Sequence, residues 1–507
     1  MTEHGYMAYD EETAAVFRAL EKLRTHPGYR VTNGLTDEVI GRFAVSDPRL
    51  LSAVEAAVSY AEEVEAEYPG VLSMDEDGQV AWAQEGFLNF YASDVVNPYV
   101  SAGAQGPWLV TLKGAVLYDA GGYGMLGWGH NPEVVLAELA KPQPMANIMT
   151  PHPSQHRLVE ALRHEIGHTT GRCPFDAFLC LNSGSEAMSL ASRIADTLSA
   201  SVTGLDGWRA GAEVKRVVVK GGFHGRTERP ALLSDSSRGT YQSLLASFRT
   251  EDSVVAVPPG DVAALKEAFA EADRHGWFIE LMAMEPVMGE GNPGYAITRE
   301  FYETARELTL QHGSLLLVDS IQAGLRTHGV LSVVDHPNLV GCEPPDMESY
   351  SKALNAGQIP LSVVALGPRA ADAYSVGIYG NTMAGNPRAM ATAVAVLGAM
   401  TDDARRNIVE MGALLTERLA ALTGEFPGVV VGAQGTGLLV SCEITGHKVY
   451  GAGSLEEWLR RHGLGVIHGG KQSLRFTPVF DITEAEVELV VDLLRAALAH
   501  GVGKAAA

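Results

Sequence analysis

The chain has 507 residues, 46% of them apolar, and a formal charge of −23; it exceeds the size at which one core stops growing, so two or three domains are expected. The acidic balance argues against a nucleic-acid or anionic-membrane partner, since both select basic patches. Four scattered cysteines, Cys173, Cys180, Cys342 and Cys442, offer neither a disulfide framework nor metal-ligand spacing, so no metal is expected and they read as small buried groups of a reducing compartment.

The opening residues, MTEHGYMAYDEET, carry neither the basic region nor the apolar core of a signal peptide. No run approaches the ~18 apolar residues of a membrane span, so a soluble cytoplasmic protein is expected. Within residues 1–106, PRLLSAVEAAVSYAEEVEAEY from Pro48 to Tyr68 has Leu51, Val54, Ala57, Val58 and Ala61 at helical spacing. An acidic MDEDGQ and an aromatic-rich FLNFYASDVVNPYV follow. This helical extension reads either as helices packed on the outer surface or a dimer face, or as a lid that helps recognise substrate.

Residues 151–400 alternate apolar runs with helical patterns. Strands are expected at Ala177–Leu181, Val217–Lys220, Leu281–Met284, Leu315–Asp319 and Ser362–Leu366, and helices at Asp261–Arg274, Arg299–His312 and Pro387–Met400. Such alternation means an α/β domain whose mainly parallel sheet is covered on both faces. Residues 401–507 change to an αβ pattern that closes on a helix begun by Thr483, with Glu486 three residues later as a capping box, and stopped at Gly501. No internal repeat and no long low-complexity linker is visible.

Two residues in this pattern stand where chemistry is done. Leu315–Val318 is apolar throughout, as a buried parallel strand is, and Asp319 ends it at the carboxyl edge where ligands of open α/β sheets gather. Lys352 follows the next short segment, MESYS, and would emerge beside Asp319 if the two strands are neighbours. A carboxylate beside a lysine is compatible with an ordinary salt bridge. It also meets the two demands of pyridoxal phosphate chemistry, a lysine amine to form a Schiff base and an acid to keep the pyridine nitrogen protonated.

Six further segments occur in order: NSGSEA at Asn182–Ala187, FHGRT at Phe223–Thr227, EPVMGEG at Glu285–Gly291, VDSIQAG at Val318–Gly324, SKALNAGQIP at Ser351–Pro360 and NTMAGNP at Asn381–Pro387, with LRFTP near the end. In these the chain resembles the class III, ornithine aminotransferase-like family of fold-type-I pyridoxal phosphate enzymes, over roughly residues 107–500. The resemblance implies an α/β large domain at 151–400 that binds the cofactor, and a smaller α+β domain made from residues 107–150, which form the substrate mouth, and 401–507.

Carried onto this sequence, the resemblance makes Lys352 the Schiff-base lysine and proton carrier, and Asp319 the partner of the ring nitrogen. Ser183, Gly184 and Ser185 would hold the phosphate at a helix N-terminus, whose amides and partial positive charge suit an anion. Phe223 would stack on the ring with His224 beside it, and Gln322 would meet the phenolic oxygen. Thr382 would reach the phosphate of a partner subunit, which implies a homodimer with shared sites. Arg475 is similar to the arginine that grips an α-carboxylate, and Glu290 to a gate that neutralises it when a substrate's distal amine must react. Tyr123 and Trp128 are expected in the substrate wall, in a mouth, YDAGGYGM, that is shorter than the family's usual form.

Two positions depart from the family pattern. Ser320 follows Asp319 where Asp-Glu is usual, and because successive strand residues face opposite sides it is expected to alter packing behind the site without touching the ring. Ser189 stands where an acid is common on the phosphate-site helix. The activity implied is ping-pong transfer of an amino group between an amino acid or amine and a keto acid. The alternative is β/γ-elimination, carbon–carbon bond formation, racemisation or phospho-lyase chemistry on the same fold without a keto acid. A non-catalytic binding protein on this fold would be signalled by loss of Asp319 or Lys352, and both are present.

Overall fold

A computed structural model describes residues 11–146, 148–249 and 252–504. The first ten residues, part of the stretch read above for a leader, lie outside the described residues.

The centre of the molecule is a seven-stranded sheet in the order Ala177–Leu181, Ser362–Leu366, Met347–Tyr350, Leu315–Asp319, Phe278–Met284, Val214–Val219, Val254–Val257. All of its pairings are parallel except those on either side of Ser362–Leu366, which runs against both neighbours. The connection at 351–361 is too short for a crossover helix, which forces that reversal. The inner strands Phe278–Met284, Leu315–Asp319, Met347–Tyr350 and Ser362–Leu366 are buried at every position, as strands covered on both faces must be. Helices Gly184–Thr203, Val262–His275 and Arg299–His312 contribute to that cover. Their first turns are capped by Ser183, Asp261 and Thr298 respectively.

The smaller part of the fold joins the two ends of the chain. Strands Ser101–Gln105, Trp108–Thr111 and Val116–Asp119 are antiparallel neighbours, and Leu464–Gly465 from the C-terminal region pairs in parallel with the last of them. A second four-stranded sheet contains Val430–Thr436, Leu439–Ile444, Ser473–Phe476 and Ile467–Gly469. Helix Glu484–Ala499 begins with the capping box of Thr483 and Glu486 and is followed by His500 and a left-handed Gly501.

The N-terminal extension is part of this packing. Helix Pro48–Glu67 lies against Ser101–Gln105, and its Leu50, Ala53, Val54, Ala57, Val58 and Ala61 join Trp108 and Tyr118 in one core. No helix among the described residues is long and apolar enough to cross a membrane.

Candidate active site

Strand register brings the two sequence landmarks together. Asp319 is paired with Ser349, three residues before Lys352, and both Asp319 and Lys352 line a cavity of about 170 Å³ at the carboxyl edge of the sheet. Ser183, Gly184, Ser185, Phe223, His224, Glu285 and Gln322 line the same cavity. The lysine sits at φ 49°, a strained conformation for a non-glycine residue. Its loop is pinned by Ser351 Oγ and Asn355 Nδ2, which donate to the Leu361 carbonyl at 2.7 and 2.9 Å. Burial, with Arg475 nearby, pushes the Lys352 amine down to about 8.

Asp319 is nearly enclosed. One oxygen accepts from His224 Nδ1 at 2.9 Å, the other from Ile321 N at 3.1 Å and Ser349 Oγ at 3.3 Å. Burial alone would lower the imidazole's pKa, but the Asp319 carboxylate holds it above its ordinary value. The far ring nitrogen, His224 Nε2, and the Gln322 amide nitrogen are buried without a hydrogen-bond partner, which an unliganded protein does not leave without reason. Gln322 is pressed against the loop opposite: a Cβ on Gly289 would lie 1.9 Å from its Oε1, so a side chain there would have to displace Gln322.

At the other end of the cavity, Ser183 caps helix Gly184–Thr203 by accepting from Glu186 N, leaving the first turn open to the cleft. Ser185 Oγ accepts from Arg226 N at 3.2 Å. These groups suit pyridoxal phosphate: an anion site at a helix N-terminus, an aromatic ring, a buried carboxylate with acceptor capacity left, an unpaired amide donor and a lysine of lowered pKa.

The substrate side lies above this cavity. Arg475 is fully buried, and its guanidinium donates to Glu290 at 2.8 Å and to the Gly289 carbonyl, while Nε and Nη2 have no partner. Burial opposes ionisation of Glu290, yet Arg475 holds its carboxyl below the usual range. Tyr123 faces Arg475, its ring centre 5.9 Å from the guanidinium. A second arginine, Arg226, stands 5.2 Å from the Phe223 ring centre and 5.6 Å from that of Tyr91, whose hydroxyl it reaches at 3.5 Å. The Tyr91 and Tyr123 rings are 6.1 Å apart. Among the described residues no carboxylate forms an ion pair with Arg226.

Two expected residues stand elsewhere. Trp128, half-buried, packs edge-on against Phe480 at 5.5 Å at the margin of the core, and lines neither this cavity nor the one beside Tyr123. Thr382 is exposed on a loop outside the cleft of its own chain, while its neighbour Asn381 ties that loop to Glu186 in the first turn of the Ser183-capped helix at 2.6 Å.

Sequence reasoning missed Arg226, Tyr91, Glu285 and Glu348. Arg226 and Glu285 were inside the quoted FHGRT and EPVMGEG segments, and Tyr91 was one aromatic among several in FLNFY. Glu348 is an acid inside a fully buried strand, a visible anomaly. Ser320 turns away from the cleft, as alternation requires, and donates to Glu348 at 2.5 Å; Ser332 Oγ at 2.5 Å and Val333 N at 2.8 Å donate to the same carboxylate. Ser189 bonds to the Ser185 carbonyl at 2.8 Å and meets Thr227 Oγ1 at 3.0 Å.

Comparison with known proteins agrees with this geometry. The family described as Aminotransferase class-III matches residues 90–498. The chain belongs to the class-III aminotransferases. The match begins upstream of the residue 107 expected from the motifs and takes in Tyr91. The aminotransferase is 31% identical over 392 residues to acetylornithine aminotransferase of Xanthomonas axonopodis pv. citri, covering 76% of this chain and 88% of that one. It is 30% identical over 404 residues to ornithine aminotransferase 2 of Staphylococcus aureus, covering 78% and 93%. Ornithine aminotransferase from Toxoplasma gondii ME49 superposes with a TM-score of 0.71 at 25% identity, covering 86% of this chain and 98% of that one. The enzyme is therefore a pyridoxal phosphate-dependent transferase of fold type I that carries out transamination. The eliminating, bond-forming and racemising alternatives are not favoured.

Proposed function

We propose that the aminotransferase takes the distal amino group of a diamino acid, or of its N-acyl derivative, and passes it to a 2-keto acid, in keeping with the names of its ornithine and acetylornithine relatives. The observation that carries this reading is the unequal state of the two arginines at the mouth. Arg475 is already neutralised by Glu290 at 2.8 Å, whereas Arg226 has no acid partner among the described residues. An amino acid whose distal amine points to Lys352 would leave its α-carboxylate for Arg226, with the Tyr91 hydroxyl beside it. A keto acid would need Arg475, and Glu290 would swing aside to release it. Arginine suits both tasks because its planar donors match a carboxylate.

When bound, pyridoxal phosphate supplies an aldehyde that condenses with amines and a protonated ring that draws electrons from the neighbouring C–H bond. The chain's own residues would do the rest. Lys352 Nζ, released by the incoming amine, would take the proton from the carbon that bears the reacting nitrogen and return it to the carbon on the other side of that nitrogen. With its pKa lowered to about 8, the amine has roughly a tenth of its population unprotonated at neutral pH, far more than an ordinary lysine offers as a base. Asp319, held by His224, Ser349 and the Ile321 amide, would present its carboxyl group to the ring nitrogen. Phe223 would cover the ring and exclude water, Gln322 would donate to the phenolic oxygen, and Ser183, Gly184 and Ser185 would hold the phosphate, all of them lining the same cavity.

Thr382 would serve the partner's phosphate in a homodimer. This is supported by its exposure and by two exposed apolar side chains of the same region, its neighbour Met383 and Ile148, which lies against Gly385. A role in cytoplasmic amino-acid biosynthesis fits the four thiols, none of which pairs in a disulfide.

The test separates the two half-reactions, each followed by the visible absorption of the bound cofactor. Arg226→Met is expected to raise the KM for a diamino acid by about 10–100-fold, the loss of charge-assisted bonds, and to leave the keto-acid half-reaction within a few-fold. Arg475→Met should do the reverse. Equal effects of both variants on both half-reactions would sink the assignment, and turnover without any keto acid would sink transamination.

A further inference from the structure

Glu285 ends the region of strand Phe278–Met284 on the wall of the cofactor cavity and is 4% exposed. Its two oxygens are divided between two loops. Oε2 accepts from Phe223 N at 3.0 Å, and Oε1 accepts from Gly289 N at 2.9 Å. The first loop carries the ring placed over the cofactor and His224, the partner of Asp319. The second carries Glu290 and the Gly289 carbonyl, the two groups that receive Arg475.

The two loops also meet directly. Gly291 N donates to the Gly221 carbonyl at 3.1 Å, and a Cβ on Gly291 would lie 2.3 Å from that oxygen. The charged groups facing Glu285 are His224, Asp319 and Lys352. A buried carboxylate is costly unless its oxygens are satisfied, and here each is satisfied by a different loop.

We propose that Glu285 is a positioning residue that ties the stacking loop, 221–227, to the gate loop, 286–292. It fixes Phe223 and His224 relative to Glu290, so that movement of the gate on exchange of substrates is transmitted to the cofactor's surroundings. The kinetic part rests on the gate reading above; the mechanical part does not.

The test is hydrogen–deuterium exchange of the loaded and cofactor-free protein in Glu285→Gln. The carboxamide keeps the volume but has one acceptor oxygen, so one of the two backbone N–H groups must face an NH2 group. Exchange is expected to accelerate about tenfold in the loop whose N–H loses its acceptor, and, because the tie between them is then broken, to accelerate measurably in the other of the two loops, 221–227 and 286–292, as well. Cofactor dissociation and its visible absorption maximum should change with it, and kcat should fall in both half-reactions while KM moves little. Glu285→Asp keeps the charge but is too short to span both loops, so it should resemble the glutamine variant; it also carries the test if Glu285→Gln fails to fold. Acceleration confined to one loop, no acceleration, or full rescue by aspartate would overturn the proposal. Because exchange uses no substrate, a failed tie and a failed gate are distinguishable.

Discussion

The buried Glu348 provides a test in which sign and size both follow from the site. It is fully buried, and burial pushes its carboxyl up to about 7 against the bonds from Ser320, Ser332 and the Val333 amide, which lower it. The ordinary value is 4.5. The folded protein therefore holds this proton to higher pH than the unfolded chain does. Between 4.5 and 7 the native state binds more protons, so the stability contribution is complete below 4.5, falls as pH rises and is lost above 7. At 1.36 kcal/mol per unit, the difference between 7 and 4.5 amounts to about 3 kcal/mol. Glu348→Gln removes the titration. Urea unfolding of wild type and variant, followed by tryptophan fluorescence from about pH 5 to about pH 8, should show wild type losing up to about 3 kcal/mol relative to the glutamine variant over that range. Glu285 and Glu486 are also pushed up to about 7 by burial, but they are present in both proteins and cancel in the difference. A stability difference that stays constant with pH would refute the assignment of a titrating Glu348.

Three further outcomes are expected. Lys352→Ala should abolish turnover and the lysine-dependent visible absorption of the cofactor together; retained activity would remove the lysine from the mechanism. Glu290→Gln weakens the cover over Arg475, so the KM for the keto acid should fall severalfold while ordinary α-amino acids gain as amine donors, measured as the ratio of kcat/KM values for the two amine classes. Thr382→Val should loosen the cofactor, and co-expression with Lys352→Ala should recover activity, since a mixed dimer holds one site with both residues intact; no recovery would place Thr382 outside a shared site.

Much of the fold was legible because its strongest signals are local. Strands Ala177–Leu181, Leu315–Asp319 and Ser362–Leu366 and helix Arg299–His312 occupy the expected residues. Strands read as Val217–Lys220 and Leu281–Met284 instead span Val214–Val219 and Phe278–Met284; both extend toward their N-termini through charged residues, Lys215 and Glu280, that are buried in the sheet. The edge strand Val254–Val257 is too short for periodicity to announce it. What local pattern cannot carry is who meets whom across the fold. Arg226, Tyr91 and Tyr123 lie in three separate segments, and only folding gathers them over one mouth. Trp128 shows the converse: its Gly-rich loop context suggested a substrate wall, and what its half-buried ring meets is Phe480, far along the chain, which no local pattern announces.

The position after Asp319 joins these two lessons. Where the resemblance expects an acid, the chain has Ser320, and alternation correctly turns that side chain away from the cofactor. The register of the next strand then supplies an acid: Glu348 pairs with Val318, one residue before Asp319, and accepts from Ser320 at 2.5 Å. A carboxylate is thus retained behind the cofactor acid, carried by the neighbouring strand, where it also anchors Ser332 and Val333 of the following turn. Buried charge survives only where donors converge on it, so serine and glutamate form a unit across two strands. Ser320→Ala should therefore weaken the same anchor that Glu348→Gln weakens, and the two together should cost less than their sum.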